Sequence, residues 1–144
     1  LERLGEAHVV GHSYGGFVAL QLARRHPVRS VVVWEPVAFQ LLGQHVVDDH
    51  ARFLVREHGL EAWLSRFLHF WNGEGAWERM SSRRREPFLA NGEKVYAEVL
   101  RCSEDKTTPE EWAEITAPTP SAHSDHTPAC RLRPRFSKYD SSVS

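Results

Sequence analysis

The sequence predicts an α/β fold: part of a parallel sheet carrying a helical insertion. Three observations carry that expectation. Two apolar runs, Val9-Val10 and Val31-Val32-Val33-Trp34, read as buried strands. A helical segment joins them. Where the first run meets that helix lies Gly11-His12-Ser13-Tyr14-Gly15, with Gly16 next, a serine bracketed by glycines.

The elements follow in order. The first strand is read over 6–10. The helix over 14–26 ends in Arg24-Arg25, cations at the negative end of the helix dipole, and Pro27 stops it. The second strand, 30–34, is a continuous apolar run, as a parallel sheet buried on both faces requires. Helices are then expected over 44–58, 60–71, 76–85, 93–102 and 108–113, punctuated by Gly43, Gly59, Asn72-Gly73, Asn91-Gly92 and Pro109. Thr108-Pro109-Glu110-Glu111 supplies an N-cap, a proline at the first helical position and acids in the first turn. Ile115-Thr116-Ala117-Pro118-Thr119 reads as the entry to a third strand, but no apolar run follows it. The domain plan is a core over 1–36, a helical cap over 37–114, a strand start over 115–119 and a polar, serine-rich tail over 120–144 expected to be disordered or frameshifted.

The glycine-bracketed serine points to chemistry. A serine hydroxyl is a poor nucleophile unless it is held exposed beside a base. A strand–turn–helix elbow exposes it by straining the serine backbone, and the small residues Gly11 and Gly15 relieve the crowding. The helix aims its first N–H groups at the reacting centre, where negative charge develops. The Tyr14 N–H, next after Ser13, is the expected oxyanion-hole donor. His12, beside the serine, is expected to point away from it.

Composition excludes other classes. With 144 residues and a net charge of −1, the chain makes no case for a nucleic-acid or acidic-membrane partner. Arg83-Arg84-Arg85 is read as a solvated helix face. No apolar segment is long enough to span a bilayer, and the start does not resemble a signal peptide. Cys102 and Cys130 form no disulfide framework, and His123, Asp125, His126 and Cys130 match no metal spacing. The expectation is a reduced, cytoplasmic setting, a small-molecule partner, and neither metal nor cofactor. The oligomeric state is left open.

Two further sets of residues are candidates for the site. The aromatics of the insertion are either helix packing or an apolar pocket wall. Trp63, Phe67, Phe70 and Trp71 recur at helical spacing and are assigned to the core. Phe39, just after the second strand, is the candidate substrate-binding wall. Glu35, at the C-terminal end of that strand, is a carboxylate that needs a partner there.

Three stretches together resemble the α/β-hydrolase superfamily. His8-Val9-Val10-Gly11-His12-Ser13-Tyr14-Gly15-Gly16-Phe17-Val18-Ala19-Leu20, then Arg25-His26-Pro27, then Val31-Val32-Val33-Trp34-Glu35-Pro36-Val37 is similar to its strand five, nucleophile helix and strand six. Phe70-Trp71-Asn72-Gly73-Glu74-Gly75-Ala76-Trp77 and the 115–119 stretch resemble one bacterial hydrolase subgroup. The resemblance implies a partial α/β-hydrolase fold with a helical cap, lacking the first four strands and the last strands. Leu1 at the start fits a fragment.

The resemblance also implies roles. Ser13 is the nucleophile and Glu35, after strand six, a candidate triad acid. The histidine belongs after strand eight, and neither His123 nor His126 fits it. The implied activity is cleavage of an ester, thioester or similar acyl bond through an acyl-enzyme. Alternatives are a catalytically dead remnant and an acyltransferase. Without the histidine, the chain as given is expected to be inactive. A frameshift near 119–120 and a poorly soluble or partly molten isolated chain complete the expectations.

Overall fold

The computed structural model describes residues 7–38 and 55–122. Three parallel strands lie in the order β1 (His8–His12), β2 (Ser30–Trp34) and β3 (Ser121–Ala122). β1 and β2 pair from His8↔Ser30 to His12↔Trp34. The register begins with a side-chain link, His8 Nδ1 to Ser30 Oγ at 2.7 Å. The helix α1 (Tyr14–Arg25) connects the two strands, as a parallel pair requires.

β3 pairs Val33↔Ser121 and Trp34↔Ala122. Contact with β2 starts earlier, where the Val31 N–H donates to the Pro118 carbonyl at 2.9 Å. The third strand therefore runs a few residues beyond 115–119, into a stretch with no apolar pattern. Backbone pairing asks only for N–H and C=O groups, so Pro118 and Pro120 can serve as acceptors. The rest of the tail, 123–144, lies outside the described residues.

Among the described residues, the helices between β2 and β3 are α2 (Gly59–Asn72), α3 (Ser82–Ala90), α4 (Gly92–Glu104) and α5 (Pro109–Ala113). Most of the helix expected over 44–58 lies outside the described residues. The helix expected over 76–85 is displaced: residues 74–79 form turns, and α3 starts at Ser82. Gly73 and Gly75 take positive φ, and Arg85 folds back over the Trp77 ring at 4.9 Å. Its Nη2 donates to the Trp77 and Met80 carbonyls at 2.8 and 3.2 Å. Those carbonyls then have a partner other than the i+4 amide that helix propagation requires.

Two cores result. The first joins Phe17, Ala19 and Leu20 of α1 to Val31 and Val33 of β2, Cys102 of α4 and Trp112 of α5. The second gathers Trp63 and Leu64 of α2 with Trp77, packed by Phe67, Phe88 and Tyr96. Trp63 stacks on Phe67 at 5.3 Å and meets Tyr96 edge-on at 4.9 Å. Gly92 lets α4 seat on α2, since a Cβ there would stand 2.7 Å from Leu64 Cδ1.

Polar ties fasten the helices to α1. Gln21 Nε2 donates to Asp105 Oδ1 and Thr107 Oγ1 at 2.9 and 2.8 Å. Arg24 Nη1 meets Glu111 Oε1 at 3.2 Å. The sheet differs from expectation on one face. α1 covers the side holding Val31 and Val33, but Val10, Val32 and Trp34 on the other are 76%, 40% and 53% exposed.

Candidate active site

Ser13 stands at the junction of β1 and α1 with φ 54° and ψ −122°. A side chain resists that conformation, and the structure must impose it. Two hydrogen bonds do so. The Ser13 N–H donates to the Trp34 carbonyl at 2.9 Å, tying the turn to the end of β2. The Ser13 carbonyl accepts from Phe17 N–H at 3.1 Å and so opens the helix.

The glycines divide the steric work unequally. A Cβ on Gly11 would drive into the Gly15 carbonyl and stand 2.7 Å from the Gly16 nitrogen. A Cβ on Gly16 would lie 3.1 Å from Pro36 Cα. At Gly15 a Cβ would meet nothing within 4 Å. The crowding assigned to Gly11 and Gly15 alike thus falls on Gly11, with Gly15 contributing its carbonyl, while Gly16 brings the helix close to the end of β2.

Tyr14 occupies the first helical position. Its N–H is among those that an α-helix leaves without an intrahelical acceptor. Glu35 is the other non-glycine residue described with positive φ, at 47°. The two left-handed positions lie side by side in space because His12 and Trp34, their predecessors, are register partners. His12 Nε2 is 3.8 Å from Glu35 Oε2, with the imidazole 69% and the carboxylate 17% exposed. His12 thus turns toward Glu35.

A cavity of about 210 Å³ opens against Ser13 and Tyr14. Val37, just beyond β2, and Phe88 of α3 contribute to its wall. α2 contributes Phe67, Phe70 and Trp71; Phe67 and Trp71 also pack against the two cores, as expected, so residues assigned to the core serve as cavity wall as well. Only Trp63 of that series is fully buried and away from the cavity. The reason is axial: Trp63 shares the helical face of residues 67, 70 and 71 but lies one to two turns nearer the N-terminus, within the second core. Phe70 meets Trp71 edge-on at 5.0 Å.

α4 supplies Val95, Glu98, Val99 and Cys102, which the sequence reading missed as site residues. Their spacing is i, i+3, i+4, i+7, a single helical stripe, and that periodicity was the available signal. Burial pushes the Cys102 thiol up to about 12, with the negative charges of Asp105 and Glu98 adding to it. Glu98 accepts from Lys94 Nζ at 2.5 Å. That hydrogen bond and the Glu98 charge hold the ammonium above the ordinary lysine range, aided slightly by the Tyr14 phenol.

Phe39, His123, His126 and Cys130 lie outside the described residues. Among the described residues no cluster of three potential metal ligands occurs, and no helix is long and apolar enough to cross a membrane.

No curated protein and no solved structure matches the chain. Residues 1–137 match the alpha/beta hydrolase family. The strand–serine–helix junction, the parallel β1-β2-β3 sheet and that match agree, and the chain belongs to the alpha/beta hydrolase family.

Proposed function

We propose that the chain carries the nucleophile side of a serine hydrolase acting on a small-molecule acyl substrate. The observation that carries this reading is Ser13, strained at φ 54° where β1 meets α1 and lining an apolar cavity. In the proposed reaction the Ser13 Oγ attacks a carbonyl carbon while its proton passes to a base. The C–O⁻ that forms is held in part by the Tyr14 N–H. Collapse expels the alcohol, thiol or amine and leaves an acyl-serine, which water hydrolyses to the acid.

Glu35 serves in this reading as the acid that orients the imidazole base. Its support is position: a largely buried carboxylate at the end of β2, one register step from the serine turn. The aromatic wall of α2 and the α4 stripe take the acyl group, with Phe39 a further candidate for that wall. The chemistry assigned here needs no metal or cofactor, and the proposed setting is cytoplasmic.

The test is labelling of the chain by a fluorophosphonate, which requires an activated serine. Labelling that maps to Ser13 and disappears in Ser13→Ala supports the reading. Absence of labelling on folded chain favours the catalytically dead remnant. Should labelling occur, a product shifted from acid to ester or amide by added alcohol or amine would indicate an acyltransferase.

A further inference from the structure

Among the described residues, the wall of the Ser13 cavity is apolar except at Ser13, Tyr14, Glu98 and the Cys102 thiol. A carboxylate is the unexpected member of such a wall. Glu98 sits in the middle of the α4 stripe, between Val95 and Cys102. Those two residues stand about 10 Å apart at the rise of an α-helix. Any group lying along that stripe passes Glu98.

Lys94 does not remove this charge from the cavity. It grips Oε1 at 2.5 Å from the solvent side, being 72% exposed where Glu98 is 24% exposed. An exposed i,i+4 pair of this kind is weak and screened. A carboxylate has about four lone-pair sites, so one ammonium leaves acceptor capacity for a ligand. Cys102, one turn along the stripe, feels the Glu98 charge, which helps to raise its thiol.

We propose that Glu98 determines the specificity of this cavity, admitting apolar acyl groups that are neutral or end in an amine and rejecting those that end in a carboxylate. The inference rests on the acyl-pocket reading of the same cavity. An ω-carboxylate would be desolvated among Phe67, Phe70 and Val99 beside a like charge. An ω-amine would find an acceptor there.

The experiment reads binding rather than turnover. The full chain carrying Ser13→Ala is titrated with N-methylhexanamide, its 6-amino derivative and the N-methyl monoamide of adipic acid, followed by calorimetry. The carboxylate is expected to bind at least about tenfold more weakly than the neutral amide, and the amine at least as tightly. Glu98→Gln should bring the carboxylate to within about twofold of the neutral probe, and Lys94→Ala should widen the gap. The proposal is overturned by equal binding of carboxylate and neutral probes, by a gap that survives Glu98→Gln, by a gap that closes in Lys94→Ala, or by no saturable binding of the neutral amide. Fluorophosphonate labelling separates the two readings. Its failure with the discrimination intact removes the nucleophile alone, and its success without discrimination removes the Glu98 role alone.

Discussion

Gly11 is pressed against the carbonyl of Gly15, four residues further along the chain, so closely that no side-chain carbon fits between them. This contact closes the turn that carries Ser13, because it sets the end of β1 directly over the first turn of α1. The geometry makes the two glycines unequal.

Gly11→Ala should destabilise the fold by about 3 kcal/mol, since its Cβ meets backbone that cannot move without opening the turn. Gly15→Ala should be neutral or stabilising by up to about 1 kcal/mol, as the added methyl enters open space within a helix. Urea unfolding of both variants checks this. Equal losses would show that the contact is not what closes the turn.

The Cys102 thiol should be inert in the folded chain. Raised from 9.0 to about 12, it holds roughly a thousandfold less thiolate at pH 8 than an ordinary cysteine. Iodoacetamide should leave the Cys102 peptide unmodified in native conditions and alkylate it in urea, as read by mass spectrometry. The linkage sign follows from the same shift. A folded-state value above the unfolded one means that the contribution is complete below about pH 9 and is lost as pH rises towards about 12. Any alkaline loss of stability assigned to Cys102 should therefore fall in that window and disappear in Cys102→Ala.

Thr108 closes a capping box with Glu111: the Glu111 N–H donates to Thr108 Oγ1 at 3.2 Å, and Glu111 Oε2 accepts the Thr108 N–H at 2.8 Å. Thr108→Ala should cost about 1 kcal/mol in thermal or urea unfolding. Glu111→Ala should cost more, because the other oxygen of that carboxylate holds Arg24 on α1. A double change of Arg24 and Glu111 that proves additive would count against the tie.

Trp63 and Phe70 lie two turns apart on α2 but should behave differently. Trp63 is fully buried and contacts Phe67 and Tyr96, so Trp63→Ala should cost about 3–5 kcal/mol. Phe70 lines the cavity, so Phe70→Ala should lose less stability and weaken N-methylhexanamide binding several-fold. Calorimetry of both, with the unfolding curve of each, separates packing from pocket.

Much of the fold was legible from residue order. The second strand is Ser30–Trp34 as read, and α1 ends one residue before the expected boundary, at Arg25. α2 and α4 lie within two residues of their expected bounds, because glycine, asparagine and apolar period mark them. Residues 76–79, turns in the structure, were misread as helix, since nothing local announces that Arg85 will reach back over Trp77. That residues packing the core also form the cavity wall was not legible for a similar reason. Periodicity says which residues share a face of α2, but not what that face meets.

The sequence by itself determined the strand–serine–helix junction, the membership in the alpha/beta hydrolase family and the breaks between helices. Those depend on neighbours in the chain: glycines where backbone must approach backbone, and apolar runs where strands must be buried. Only the tertiary structure decided that Gly11 rather than Gly15 carries the crowding, that His12 turns to Glu35, and that Glu98 and Cys102 look into the same cavity as Ser13. The first is set by how the turn closes, the second by the pairing of β1 with β2, and the third, between residues up to about ninety apart, by the packing of α4 near the serine turn.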